Sequence, residues 1–233
     1  MNDNRLSAIA LIAASCGMII TMAVHPTGHI RQAQLEGTIR MLIIVHAFAL
    51  MLAPIQFLGA WGLSRRLAGT VRLEVVGLVF YGMALIAVMS SALADGLVTP
   101  SVFRQIVESA NSESAVNTWR MFSRYTFFLN QAYAEVFVAA SSAAILAWSV
   151  AMWRSGSLSR GLGIYGCILS IATVAVLFSG YLRLDAHGFG AVVLGQAIWF
   201  VIAAALLWNE TPKLQQSGRN GSDRHESCAD VVK

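Results

Sequence analysis

The sequence predicts an all-α, polytopic membrane protein, a bundle of six transmembrane helices. Three observations carry this prediction. The 233-residue chain is 57% hydrophobic and only 12% charged, whereas soluble domains carry about 25% charged residues. Its mean hydropathy is +0.64. Six separate apolar stretches, roughly 7–24, 41–63, 74–94, 125–152, 162–182 and 189–208, match the length of about 20 residues that a helix needs to cross a bilayer. They fill most of a single domain, 1–209, and leave no room for a separate soluble catalytic domain.

The first stretch follows Asn2–Arg5 and stays apolar through Ile19, Ile20, Met22 and Val24. A cleaved signal peptide would turn polar earlier, so the stretch is expected to be a retained span. It ends at His25-Pro26, because proline disfavours helical geometry in the residue before it. Gly28 adds a turn signal, which places His25 and His29 in a loop. The second stretch carries Pro54, expected to kink it, and Leu63-Ser64-Arg65-Arg66 is expected to form the turn into the third.

The connection at 98–120 holds Thr99-Pro100, a cap and first-turn pair. Val102, Phe103, Ile106, Val107 and Ala110 then recur at helical spacing. This predicts a short amphipathic helix lying at the interface. Trp119 to Trp153 reads as one long helix that protrudes beyond the bilayer. Residues 210–233 form a polar tail with the composition of a disordered segment. The second and third stretches resemble the fourth and fifth: each pair passes Leu-Ser-Arg at its turn and ends at an aspartate. As a parallel duplication, this puts His46 and Glu135 at equivalent depth.

The net charge of +4 is spread over segment ends without forming a run. This argues against a nucleic-acid partner and leaves the lipid bilayer as the expected surroundings. Cys16 and Cys167 lie in apolar stretches and Cys228 in the tail, so there is no CxxC or disulfide framework. Placing both termini inside puts ten basic residues on the inner side against six on the outer. The positive-inside rule therefore favours cytoplasmic termini and a bacterial-type inner membrane.

Chemistry concentrates on one side. With six spans, the loops after the first, third and fifth share a side whichever way the protein sits. That side holds His25, His29, His46 and His187, together with Asp95, Glu135 and Asp185. Counted from Arg40, His46 lies about 9 Å inward at 1.5 Å per residue. Asn130, Gln131 and Glu135 fall on one side of the fourth segment. Asp95 and Asp185 cap the third and fifth, and Gln196 lies more than two turns into the sixth.

Ionisable groups are costly inside a bilayer and need partners. Imidazole with carboxylate suits zinc, iron or copper, and two imidazoles suit haem. The leading expectation is a metal or haem site in the outer leaflet. His46 and His187 would be ligands, joined by His25 or His29. Asp95, Glu135, Asp185, Asn130, Gln131 and Gln196 would support them as ligands, orienting partners or proton carriers. Two other expectations stand beside it. The polar set can act only as interhelical hydrogen-bond glue in a non-enzymatic or partner-binding protein. Alternatively, Glu135, His46 and Gln196 can line a small transporter or proton relay, with Gln56 and Ser141-Ser142 continuing the path. Ser90, Ser91 and Ser179 are poor candidates for nucleophiles, because helical serines commonly bond their own backbone.

Overall fold

The structure, a computed structural model, describes residues 3–26, 35–69 and 72–209. Among these the chain is all-helical, and six helical stretches are long and apolar enough to cross a membrane. Helix α1 (Asp3–Ala23) ends just before His25-Pro26, as the proline dictates. Helix α2 (Leu35–Leu67) runs through Pro54 and also through Leu63–Arg66, where the sequence suggested a turn. Leucine and arginine are good helix formers, and the chain meets no breaker until Gly69. The polar tail from residue 210 onward lies outside the described residues.

The third stretch departs furthest from expectation. Helix α3 (Leu73–Leu93), a π-helical turn (Ala94–Val98) and α4 (Thr99–Glu108) form one uninterrupted rod. Asp95 is therefore inside a helix and does not cap one. Pro100 supplies the physical reason. A proline inside a helix lacks an N–H and crowds the carbonyl one turn back, and a wider π turn eases that crowding. The carbonyl of Ala94 accepts from the Thr99 backbone N–H and, at 3.0 Å, from the Thr99 hydroxyl. Helix α4 buries Pro100 and Val102 and lies along the next helix.

Helix α5 (Glu113–Ser155) starts earlier than the sequence suggested. The Ser112 side chain caps it by accepting from Ala115 N–H at 3.4 Å, and Gly156, at φ +63°, ends it. Helices α6 (Arg160–Phe178) and α7 (Ala186–Asn209) complete the bundle.

The helices pack in a closed circuit. Helix α1 lies against α2 and α7, α2 against α3, α3 against α5, α5 against α6, and α6 touches α7. At one end of the bundle Asp3 of α1 meets Arg65 of α2 at 3.6 Å, and Arg5 stacks over Trp208 of α7. The start of α1 and the end of α7 thus share a face.

Beneath that face the core is aromatic. Trp148 is fully buried, stacks with Trp199 at a ring separation of 6.1 Å, and meets Tyr81 and Phe200. Its indole N–H donates to Ser64 Oγ at 3.0 Å and to the Glu74 carbonyl at 3.2 Å. One residue thereby ties α5 to both α2 and α3. Gly77 makes room for it: a Cβ there would stand 2.5 Å from the indole nitrogen.

Filling that space strains a well-packed core by about 1–3 kcal/mol. Gly77→Val is therefore expected to lower the thermal unfolding midpoint of the detergent-solubilised protein. Gly82→Val, whose nearest neighbour is Phe57 at 3.9 Å, is expected to leave it unchanged. Equal midpoints for the two variants would contradict this packing.

Candidate functional site

The end of the bundle opposite the aromatic core collects the polar groups. His25 stands in the turn just after α1, and its Nδ1 lies 3.2 Å from the Pro26 carbonyl. His46 is 8% exposed on α2, and its Nδ1 lies 2.8 Å from the Leu42 carbonyl, one turn back. A carbonyl only accepts, so each ring carries a proton on Nδ1, and Nε2 presents a lone pair when the ring is neutral and an N–H when it is protonated. Both Nε2 atoms face the same oxygen. His46 Nε2 is 3.3 Å and His25 Nε2 is 3.6 Å from Asp95 Oδ2. The two rings meet edge to face with centroids 5.2 Å apart. Among the described residues, these three side chains form the one group with metal-ligand chemistry, their donor atoms lying within 4.8 Å of one another.

The backbone builds this convergence. The π turn adds a residue's worth of rotation at Asp95 within a rod that starts at the far end of the bundle. Gly96, the next residue, gives His46 its place: a Cβ on Gly96 would stand 2.2 Å from the His46 Cβ. The sequence did carry this signal, as Asp95-Gly96 followed closely by Pro100. Its meaning depends on a local winding that helical periodicity does not anticipate.

The triad lines a cavity of about 460 Å³ bordered by α1, α2, α3, α5 and the start of α7. Met18, Met22, Val88, Phe189 and Val193 form its apolar wall. Ser91 and Asn130 face it as a pair, the hydroxyl donating to Asn130 Oδ1. Beneath lies a second cavity of about 30 Å³ lined by Ser15, Gln56, Tyr81 and Gln196, among others, and Met18 and Val193 wall both. Ser15 Oγ and Gln56 Oε1 have no protein hydrogen-bond partner among the described residues. That volume has room for one water molecule.

The other candidates divide. His187 lines the large cavity but is exposed at its rim, away from the imidazole pair. Asp185 caps α7, its Oδ1 accepting from the N–H groups of Gly188 at 2.9 Å and His187 at 3.1 Å. Gln131 donates to the Leu184 carbonyl at 3.1 Å and so fastens the loop before α7 to α5. Gln196 belongs to the lower cavity, where it donates to Ser141 Oγ at 2.8 Å. Glu135 is exposed on the outside of α5 and does not share the interior position of His46. Ser90 and Ser179 donate to the carbonyls of Ile86 and Val176 in their own helices, both at 2.9 Å. His29 lies outside the described residues.

No family model, curated protein or solved structure matches the chain.

Two outcomes follow from this geometry. Gly96→Val is expected to drive His46 from Asp95 and move the His46 Nε2 resonance in a ¹⁵N-histidine NMR spectrum. Gly37→Val, which has open space around it, is expected to leave that resonance in place. For Asp185, the N–H groups of Gly188, chiefly, and His187 hold the carboxyl below the ordinary aspartate range. A group with a lowered folded-state pKa stabilises fully above its unfolded-state value and loses that contribution as pH falls through the folded value. The amides at the start of α7 are therefore expected to keep their hydrogen-exchange protection through pH 4 and lose it on further acidification. Loss already at pH 5 would contradict the cap.

Proposed function

We propose that this is an integral membrane protein that holds a divalent transition metal of the zinc type between His25, His46 and Asp95, at the outer edge of a bacterial-type inner membrane with both termini cytoplasmic. The exposed apolar side chains on the bundle's outside, such as Met51, Ile86 and Ile168, support insertion. So does the closure of α1, α2 and α7 at one basic end.

Helix lengths set the depth. From His46 to Arg65 the rise is about 28 Å, and from Leu73 to Asp95 about 33 Å, against a hydrocarbon thickness of about 30 Å. The site then lies at the outer hydrocarbon boundary. The 33 residues of α2 exceed the hydrocarbon layer, which carries Arg40 beyond it and makes Arg40 a poor depth marker.

The observation that carries the proposal is the spacing of the three donors. Charge-assisted hydrogen bonds between imidazole and carboxylate run at about 2.7–2.9 Å. Separations of 3.3 and 3.6 Å are longer. The tetrahedral edge for metal–ligand bonds of about 2.0–2.1 Å is about 3.3–3.4 Å, which the His46–Asp95 separation meets and the His25–Asp95 separation slightly exceeds. The carbonyls that fix both Nδ1 protons are the partners that metal-binding histidines commonly have. Haem fits less well. Two axial imidazoles must stand on opposite faces of the macrocycle, and rings 5.2 Å apart, edge to face, leave no slot between them. A continuous proton path also gains little support, because the apolar Met18 and Val193 stand between the two polar sets.

Purified protein supplied with zinc is expected to retain about one metal ion per chain. Cobalt(II) in its place is expected to give the intense visible bands of a four-coordinate centre. His25→Ala, His46→Ala and Asp95→Asn should each lower retention at least tenfold while eluting as monodisperse protein. Acidification should release the metal, since imidazole and carboxylate ligate only when deprotonated. Well-folded protein that binds neither ion, or variants that bind as the parent does, would overturn the proposal.

A further inference from the structure

The cavity at the triad is built in two halves of opposite chemistry. One wall carries the donor atoms of His25, His46 and Asp95. Much of the remaining surface is apolar, with the side chains of Met18, Met22, Val88, Val193 and Phe189. Polar groups including Ser91, Asn130, Gln131, Asp185 and His187 complete the lining. Its volume, about 460 Å³, lies within the range of about 300–1,000 Å³ typical of small-molecule sites.

Three side-chain ligands leave a tetrahedral ion one position short. Because all three ligands line the cavity, that position opens into it. Asn130 stands in the same cavity with its Oδ1 occupied by Ser91, which leaves its amide N–H groups as donors for a ligand oxygen. A small hydrophilic ligand would meet the metal yet leave the apolar half unfilled. A purely apolar ligand would leave the open metal position and the Asn130 donors unmatched. A ligand with both parts satisfies both halves.

We infer that the cavity receives a single-chain amphiphile. An oxygen-bearing head, carboxylate or carbonyl, completes the coordination of the ion, and a hydrocarbon chain runs along Met18, Met22, Val88 and Val193. This rests on the metal reading above and adds a ligand class to it. The boundary position suits such a ligand, whose head and chain partition between interface and hydrocarbon as the two halves of the cavity do.

Hydroxamates provide the test, since they keep one chelating head while the chain is varied. Acetohydroxamate and hexanohydroxamate are titrated into the cobalt-loaded full-length protein. The visible bands report binding, equilibrium dialysis fixes free concentrations against micelle uptake, and metal content is measured on the same samples. Each buried methylene tightens binding about fourfold, so hexanohydroxamate is expected to bind roughly 200-fold tighter. Filling the apolar part with Val193→Trp, or more gently with Ala134→Leu, at another residue of the lining, is expected to collapse that ratio toward one. Equal affinities for the two hydroxamates on metal-loaded parent protein would overturn the amphiphile while leaving the metal site standing. A ratio that both filling variants leave unchanged would do the same. Protein without bound metal in these samples would bring down both inferences, and the metal measurement tells the two failures apart.

Discussion

A carboxylate drawn into the bundle between two imidazoles is the interaction on which this account depends. A charged group at the edge of a hydrocarbon layer is expensive unless a partner meets it. Asp95 has two partners, supplied by different elements: His46 from the middle of α2, and His25 from the turn after α1. Neither imidazole is free to rotate away, because each is fastened through Nδ1 to a backbone carbonyl. The π turn aims the carboxylate inward, and Pro100 makes that turn favourable. Gly96 lets α2 and the third rod come close enough for the contact. Local winding, a proline and a missing side chain thus set the spacing of three donor atoms.

The two ends of the bundle divide the labour between stability and chemistry. At the basic end, Trp148, Trp199, Tyr81 and Phe200 pack in one hydrophobic core, and the Trp148 indole ties three helices together. At the other end the same helices part around a large cavity, and the polar contacts that remain fasten its walls. Gln131 holds the loop before α7, Asp185 caps α7, and Ser91 pairs with Asn130. A rigid closed end allows the open end to keep space and polar groups that would otherwise cost stability.

The helices were legible in the sequence because hydropathy alone marks segments of bilayer length, and the alternating direction of successive segments grouped the histidines on one side without knowledge of orientation. The end of α1 followed from Pro26. What stayed hidden depended on rotation about helix axes over long stretches. Glu135 matches His46 in a short alignment yet faces outward, because a likeness of three residues does not fix which face turns inward. His187 and His25 look alike as loop-end histidines, and only the packing of α1 against α2 brings His25 to Asp95. The aspartate itself reads as a helix cap beside a turn, and it took the accommodation of Pro100 within a continuous rod to carry it inside.

X-ray absorption at the zinc edge of the metal-loaded protein probes the convergence of these three side chains most directly. The first shell is expected to hold nitrogen and oxygen at about 2.0–2.1 Å, with outer-shell scattering from two imidazoles that falls to one in His46→Ala loaded with excess zinc. A shell of oxygen alone, sulfur ligation, or an imidazole signal that survives unchanged in His46→Ala would contradict it.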